Sequence, residues 1–303
     1  MKWEGRRRSR NVEDRRGRRS GPSGGRSGRR VRIPMPRGRA ARGGGGGLLM
    51  LLVVLGVAWL LGINPLSLIG GDLSNSGGSY TQRPSDNLPM ADAGEDRLLD
   101  FVAVNLAETE DLWTLVFEQN DMTYVPPKLV LFSGQTTSPC GVASARTGPF
   151  YCPGDQKIYL DPAFYAQLRD QFGASGDFAQ AYVLAHEVGH HVQQLVGTLP
   201  EFNRLRGALP QEEENAYSVR IELQADCYAG IWANYVGEQN LLDRGDIREA
   251  LNAAEQIGDD TLQKRTQGFA VPKTFSHGTS AQRMEWFSRG YKTGDVQACD
   301  TIG

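Results

Sequence analysis

The sequence is poor in the side chains that hold metals or form disulfides: of 303 residues, four are cysteine and four are histidine. No two cysteines form a C-x-x-C pair, which argues against a structural zinc ribbon. No internal repeat is visible, which excludes a repeat architecture. Three of the four histidines stand within one short stretch, so the few metal-binding imidazoles are concentrated at one place in the chain.

That stretch, residues 185–191, carries an H-E-x-x-H pattern in which His186 and His190 are four residues apart. On a helix this spacing puts both imidazoles on one face, where they can hold one Zn²⁺ while Glu187 acts as the base for a bound water. Apolar residues at helical spacing and the absence of proline predict that helix over residues 178–196. His191 points off the metal face and is interpreted as a polar packing residue.

A second acidic pattern lies on a helix that the sequence predicts from about residue 211 to residue 235. Glu222 and Asp226 share one face of it, four residues apart. Glu222 is the candidate third zinc ligand, and Asp226 can accept a hydrogen bond from the other nitrogen of a ligating histidine. A solvated acidic stripe is the alternative. The apolar neighbours argue against it, because a carboxylate among them should be paired or metal-bound.

H-E-x-x-H followed by E-x-x-A-D on a later helix resembles the gluzincin arrangement of zinc peptidases. The chain as a whole resembles the YpfJ-like neutral zinc metallopeptidase family, through segments that span nearly its full length. This resemblance implies peptidase activity and a zinc cofactor, but little about what is cut. The matching segments are residues 1–3, 11–17, 148–153, 186–193, 222–227 and 277–283.

His277, the one histidine outside the metal helix, comes just before a capping-box signature at residues 279–282. Its six-residue step to Arg283 is similar to a histidine–arginine segment of HtpX-like membrane peptidases, although Gly278 stands where that segment has proline. The similarity implies that the histidine approaches the metal site. It would then donate a hydrogen bond to an oxyanion or serve as a fourth zinc ligand in a resting state. A histidine that bonds only to its own loop is the alternative.

Charge is divided unevenly along the chain. Residues 1–42 hold sixteen Lys and Arg against three acids, whereas the whole chain has a formal net charge of −2. Between the basic and acidic parts lies the uncharged apolar run 48–63, which together with its flanking residues is long enough to span a bilayer. We interpret residues 43–63 as a transmembrane signal anchor. A buried core helix and a cleaved signal peptide are the alternatives. A core helix would show a polar face, which this run lacks, and a signal peptide normally has a much shorter basic region in front.

The excess of positive charge predicts that residues 1–42 form a disordered tail in the cytoplasm, near anionic lipids, with the rest of the chain outside it. Residues 11–17 are the exception, because their resemblance to the family implies a specific role. This outer compartment is the periplasm if the source is a Gram-negative bacterium. Nucleic-acid binding by the arginine-rich tail is the alternative, and we do not expect it. A linker over residues 64–90 and a metallopeptidase domain over residues 91–303 complete the predicted single-pass organisation.

An even number of cysteines outside the membrane predicts two disulfides. Cys140 and Cys152 bracket a loop that contains Gly, Ser and Pro, and we predict that they pair with each other. Cys227 would then pair with Cys299 and join the helix that carries Glu222 to the C-terminal end of the chain. A buried free thiol at Cys227 is the alternative.

The hydrophobic pattern predicts a few strands followed by several helices. Strands are expected at residues 128–132 and 157–160, and further helices at residues 96–119, 246–257 and 280–291. This order indicates an α+β fold, a zincin-like domain in which a small β-sheet lies beside the H-E-x-x-H helix.

The sequence therefore predicts a membrane-anchored zinc endopeptidase that acts on extracytoplasmic proteins, with Glu187 as the base. Substrate is expected to lie along the edge of the small sheet and to add a strand to it. A catalytically silent zinc-binding scaffold or chaperone of the cell envelope is the second candidate. Nothing in the sequence supports a loss of activity, since Glu187 is present.

Overall fold

The computed structural model describes residues 1–17, 93–144 and 147–302. The described residues form one compact unit. The predicted anchor at residues 43–63 and the predicted linker at residues 64–90 lie outside the described residues. Within the described ranges, every helix is too short or too polar to span a bilayer.

Helices and strands are mixed along this unit, which agrees with the predicted α+β class. The strands are β1 (Val12–Asp14), β2 (Lys128–Leu131), β3 (Gln135–Ser138), β4 (Gly141–Ser144), β5 (Phe150–Cys152) and β6 (Lys157–Leu160). The helices are α1 (Ala93–Gln119), α2 (Ala163–Asp170), α3 (Asp177–Val196), α4 (Thr198–Leu205), α5 (Gln211–Glu238), α6 (Asp246–Gln256), α7 (Asp259–Gln267) and α8 (Ser280–Thr293).

The main sheet has four strands in the order β1-β2-β6-β5. Strands β1, β2 and β6 run parallel to one another, whereas β5 is antiparallel to β6 and lies at one edge. Because the central strands are buried, they read as apolar runs, and this made β2 and β6 visible in the sequence. Strands β3 and β4 form a separate antiparallel hairpin, which the sequence analysis did not predict.

Residues 1–17 form a strap that packs against the rest of the unit. Met1 and Trp3 are buried, and the Trp3 ring meets the Phe101 ring edge-on at 5.4 Å between centroids. The α-ammonium of Met1 lies 3.1 to 3.3 Å from carboxylates of Asp177, Asp243 and Asp246, at the beginnings of helices α3 and α6. The strap then ends in β1, the first strand of the main sheet.

The prediction of a disordered tail over residues 1–42 is wrong for residues 1–17. Three of its arginines, residues 6 to 8, are held by carboxylates on helix α1. Arg6 makes two hydrogen bonds to Glu108, at 2.6 and 3.2 Å. Arg7 reaches both Glu110 and Asp111 on the same helix. An arginine-rich composition indicates disorder only while the charges lack partners, and these partners lie about a hundred residues away in sequence.

The helix that carries the H-E-x-x-H pattern is α3, with bounds within one residue of those predicted. It ends at Gly197, whose φ of 93° is the left-handed C-terminal conformation that glycine favours. The N-cap residue, Gly176, has no side chain to cap the N-terminus of α3. Instead, the Glu249 carboxylate on helix α6 accepts a hydrogen bond from the backbone N–H of Phe178. Near its middle, Gly189 lets the backbone of helix α5 approach, because a Cβ there would lie 3.0 Å from the Ala225 carbonyl oxygen.

Helix α8 crosses helix α5 through a pair of glycines. A Cβ on Gly230 would collide with the Phe287 carbonyl, and one on Gly290 with the Cys227 carbonyl, so larger residues would separate the two helices. The expected capping box at Thr279 and Gln282 begins α8. This close crossing brings the buried side chain of Arg283 towards the metal helix.

Both expected disulfides are present in the structure. Cys140 pairs with Cys152 and joins the β3–β4 hairpin to the edge strand β5. Cys227 pairs with Cys299 and fastens the C-terminal segment to helix α5.

Candidate metal and catalytic site

Helices α3 and α5 bring three possible metal ligands together. His186 Nε2 lies 3.1 Å from one oxygen of Glu222, and His190 Nε2 lies 3.5 Å from the other. The three donor atoms lie within 4.8 Å of one another. Two imidazoles and a carboxylate around one point are the donor set that Zn²⁺ takes in hydrolases, so the arrangement fits the expected metal.

The other ring nitrogen of His186 is fixed by Asp226, whose Oδ1 lies 2.8 Å from Nδ1. A carboxylate oxygen can only accept, so Nδ1 donates to Asp226, and Nε2 is the nitrogen that faces Glu222 and can bind a metal once it has lost its proton. Asp226 is itself held from two sides: the Tyr182 hydroxyl donates to Oδ1 at 2.6 Å, and Arg283 Nε donates to Oδ2 at 2.8 Å. The orientation of His186 therefore depends on residues of three helices.

His190 has an uncharged partner instead. Its Nδ1 lies 2.9 Å from Gln193 Oε1. The Gln193 Nε2 donates to the Ile221 carbonyl and to Gln224 Oε1, so the amide presents its oxygen to the imidazole. Nδ1–H is thus the donor, and Nε2 of His190 is also left free to bind a metal.

The charges of the metal-free site are strongly coupled. Burial by itself would lower the pKa of His186, but Asp226 and Glu222 outweigh it and raise that pKa to about 10. Burial opposes the charge of Glu222 as well, yet His190 and His186 hold its pKa well below the usual value. Burial would raise the pKa of Asp226, but Arg283 and His186 hold it at about 2. The carboxylates are therefore ionised, as ligands and their partners must be.

Glu187 lines the same cleft as the three ligands, a cleft of about 460 Å³. Its side chain belongs to the metal helix, one residue after His186, and the residue is 7% exposed. Edge-strand residues Phe150 and Tyr151 line the cleft too. A carboxylate beside a metal position and an extended backbone edge thus share one cavity.

His277 also lines this cleft, but it does not belong to the group of mutually close donor atoms within the described residues. Asp259 fixes its loop: Oδ2 accepts the backbone N–H groups of Ser276 and His277 at 2.7 Å each. Asp259 Oδ1 lies 3.2 Å from His277 Nδ1. Because of this contact, with Glu222 as a second cause, the pKa of His277 is raised.

His191 lies away from the metal group, as the helical spacing predicts. Its Nε2 lies 2.7 Å from the Val125 carbonyl oxygen, so this nitrogen donates, and its Nδ1 accepts from the Tyr151 hydroxyl at 3.1 Å. Burial lowers the pKa of His191. It therefore joins the metal helix to the edge strand as a neutral packing residue.

A second group of acids, Asp177, Asp246 and Glu249, is also close enough to hold a cation. The Met1 ammonium contacts Asp177 and Asp246, so this group already has a positive partner in the folded unit. It carries no further argument for a metal.

Sequence reasoning missed Tyr182, Gln193, Asp259 and Arg283 as members of the site. Arg283 appeared only as the end of the segment that begins at His277. Each of these side chains acts on a ligand, on Asp226 or on His277 rather than on a metal, so no ligand spacing marks it. No signal for Arg283 was present in the sequence, because its burial, which requires a carboxylate partner, is visible only in the folded structure.

Comparison with known proteins supports the same chemistry. A family model described as "Putative neutral zinc metallopeptidase" matches residues 1–302. The Escherichia coli K12 protein "Uncharacterized protein YpfJ" is 47% identical over 303 residues, covering 100% of this chain and 99% of the relative. "Uncharacterized protein Mb2605" of Mycobacterium bovis is 40% identical over 267 residues, covering 81% of this chain and 85% of its own length. No solved structure gives a significant match.

The match begins at residue 1, so the strap belongs to the family together with the ligand helices. With the H-E-x-x-H helix, the later Glu222 and full-length relatives all in agreement, this chain belongs to the neutral zinc metallopeptidase family.

Proposed function

We propose that this protein is a zinc-dependent endopeptidase in which His186, His190 and Glu222 hold the metal. The observation that carries the proposal is the orientation of the two imidazoles. In both, Nδ1 donates to an acceptor on the other side of the ring, so both Nε2 atoms face Glu222 and can bind a metal beside it once they have lost a proton. When bound, the zinc supplies Lewis-acid activation of a water and of the scissile carbonyl.

Glu187 is the proposed base. Its carboxylate accepts the proton of the attacking water and later delivers it to the leaving amine, so one residue serves as base and then as acid. His277 lines the same cleft and is the proposed hydrogen-bond donor to the developing oxyanion. Since His277 stands outside the ligand group, this role is better supported than that of a resting-state ligand.

The substrate backbone is proposed to bind along β5. This strand has β6 on one side, and in the described part of the chain no strand pairs with its other edge. Because β5 lines the cleft, a peptide that adds a strand there would run past Glu187. Main-chain hydrogen bonds then hold an extended or unfolded segment rather than a folded surface.

We place the enzyme outside the cytoplasm, at the membrane, with extracytoplasmic proteins as substrates. Two disulfides support an oxidising compartment, and the apolar residues 43–63 support membrane attachment. The docked strap adds a condition: residues 1–17 belong to the folded unit, so they must share its compartment. A single crossing of the membrane by residues 43–63 would put residue 1 in the cytoplasm and the domain outside it, so that topology cannot hold while the strap is docked.

Glu187→Gln tests the proposal, because it removes the base and keeps the ligands. We expect the variant to bind zinc as the wild type does and to lose turnover of an unfolded protein such as casein. Zinc content is measured by mass spectrometry and turnover by the release of peptides. Turnover that survives in Glu187→Gln would show that Glu187 is not the base, whereas a wild-type protein that binds zinc and cleaves nothing would favour the silent scaffold.

A further inference from the structure

Two chemically different sets of side chains line the catalytic cleft. One is the polar group around the predicted metal position. The other is an apolar group of Phe164, Phe172, Ile257 and Leu262. Phe164 lies on α2 and Leu262 on α7, whereas Phe172 and Ile257 directly follow α2 and α6. All four are half-buried, so part of each side chain faces the open cleft.

The apolar group contains no charged partner for a substrate. Among the residues that the structure describes, and apart from the metal ligands, Glu187 and His277, the one charged side chain that lines the cleft is Arg283. Arg283 is buried and already paired with Asp226. A charged substrate side chain entering this part of the cleft would lose its water without gaining a partner, which is costly.

The position of Phe164 relates this group to the proposed substrate strand. Gly148 has a φ of +72°, and a Cβ added there would lie 3.5 Å from the Phe164 ring. The backbone that leads into β5 therefore passes directly over Phe164. In an extended peptide bound beside β5, successive side chains point to opposite faces of the sheet. One of the two substrate side chains that flank the reacting carbonyl therefore faces the apolar group.

The apolar group is also held in place from outside. The Arg265 guanidinium lies 5.7 Å from the centre of the Phe172 ring. It donates to the Gln171 carbonyl at 3.4 Å and to Gln256 Oε1 at 2.6 Å. These bonds join the segment after α2 to the end of α6, the two elements that supply Phe172 and Ile257. A subsite built in advance loses less binding energy to ordering.

We propose that Phe164, Phe172, Ile257 and Leu262 form a specificity subsite that selects substrates with a large apolar side chain beside the scissile bond. This inference rests on the proposed peptidase function and narrows its substrate class. The substrates selected in this way are segments of unfolded proteins that are rich in Leu or Phe, because folded proteins keep these side chains buried. Burial of such a side chain in an apolar pocket changes kcat/KM by roughly 10- to 200-fold relative to a small one.

The test uses five fluorogenic peptides that differ at one position next to the cleavage site: Leu, Phe, Ala, Asp or Lys. We expect the wild-type protein loaded with zinc to favour Leu and Phe over Ala, Asp and Lys by about 10- to 200-fold in kcat/KM. Leu262→Ala should reduce this preference at least several-fold. Leu251→Ala is the matched control, since Leu251 is a half-buried leucine of α6 outside this cleft.

Binding of the same peptides to zinc-loaded Glu187→Gln, measured by fluorescence anisotropy, separates the subsite from the chemistry. The Leu and Phe peptides should bind more tightly than the Asp peptide, and adding Leu262→Ala should remove the difference. Equal binding and equal kcat/KM for all five peptides would overturn the subsite while leaving the peptidase function intact. Selective binding without any wild-type turnover would overturn the peptidase function and keep the subsite.

Discussion

Arg283 Nε donates to Asp226 Oδ2 over 2.8 Å, and both side chains are buried although 57 residues separate them in the chain. The same aspartate accepts the proton of His186 Nδ1. Asp226 thus stands between an arginine of the last long helix and a metal ligand. The Arg283 guanidinium compensates the buried negative charge of Asp226, which His186 needs as its hydrogen-bond partner. Two predictions concern this chain of contacts.

Arg283→Ala should remove the guanidinium partner of the buried Asp226 and leave it with His186 and the Tyr182 hydroxyl alone. Breaking a buried ion pair in this way costs about 3–5 kcal/mol in the free energy of unfolding. Urea denaturation of the metal-free protein measures this loss. Arg289→Ala is the control on the same helix, because Arg289 pairs with Glu285 at the surface and should cost less than about 1 kcal/mol. Equal losses in the two variants would contradict a special role for Arg283.

Zinc binding should release protons and strengthen as pH rises. In the metal-free protein the pKa of His186 is raised to about 10, because Asp226 and Glu222 outweigh the effect of burial. Between pH 7 and 9 this imidazole is therefore protonated before binding, whereas a ligand must be neutral. Affinity should rise with pH up to about 10 and fall as pH is lowered.

Calorimetry in buffers of different ionisation enthalpy measures these protons directly. At pH 8, the observed heat should change with the buffer by an amount that corresponds to at least one released proton. Heats that are the same in every buffer would mean that His186 is neutral in the metal-free protein.

His277→Ala should lower kcat by roughly 10²–10³-fold while zinc content stays at the wild-type level, if His277 donates to the oxyanion. Asp259→Asn should lower kcat less, because the amide still accepts from the loop backbone but no longer favours the charged imidazole. Steady-state kinetics and metal analysis check both variants. An unchanged kcat in His277→Ala would leave His277 with a role in its own loop, and a raised kcat would instead indicate a resting-state ligand.

The strap should lie on the same side of the membrane as the catalytic cleft. Arg10→Cys in the strap and Lys292→Cys on helix α8 each provide an exposed thiol. A membrane-impermeant maleimide added to intact cells or spheroplasts should label both positions or neither. Labelling of one without the other would show that the strap is undocked in the cell, and would favour the N-terminus in the cytoplasm that the positive charge predicts.

Local patterns in the sequence were sufficient to predict the elements that carry chemistry. The bounds of α3 follow from apolar periodicity and Gly197, and the start of α8 from the capping box at Thr279 and Gln282. The spacing of His186 and His190 places both side chains on one face of a helix, independently of the rest of the fold. The strap, the β3–β4 hairpin and the short helices α2, α4 and α7 were missed, because they depend on partners distant in sequence more than on a strong local pattern.

What the sequence by itself determined is the set of residues that can hold a metal and activate water, since helical spacing is a property of neighbours. Tertiary structure decided which groups orient those residues. Asp226 reaches His186 only because Gly189 lets helices α3 and α5 approach, and Arg283 reaches Asp226 only because Gly230 and Gly290 let α8 cross closely. It also decided that an arginine-rich N-terminus is folded, because the carboxylates of α1 give its charges partners that composition cannot reveal.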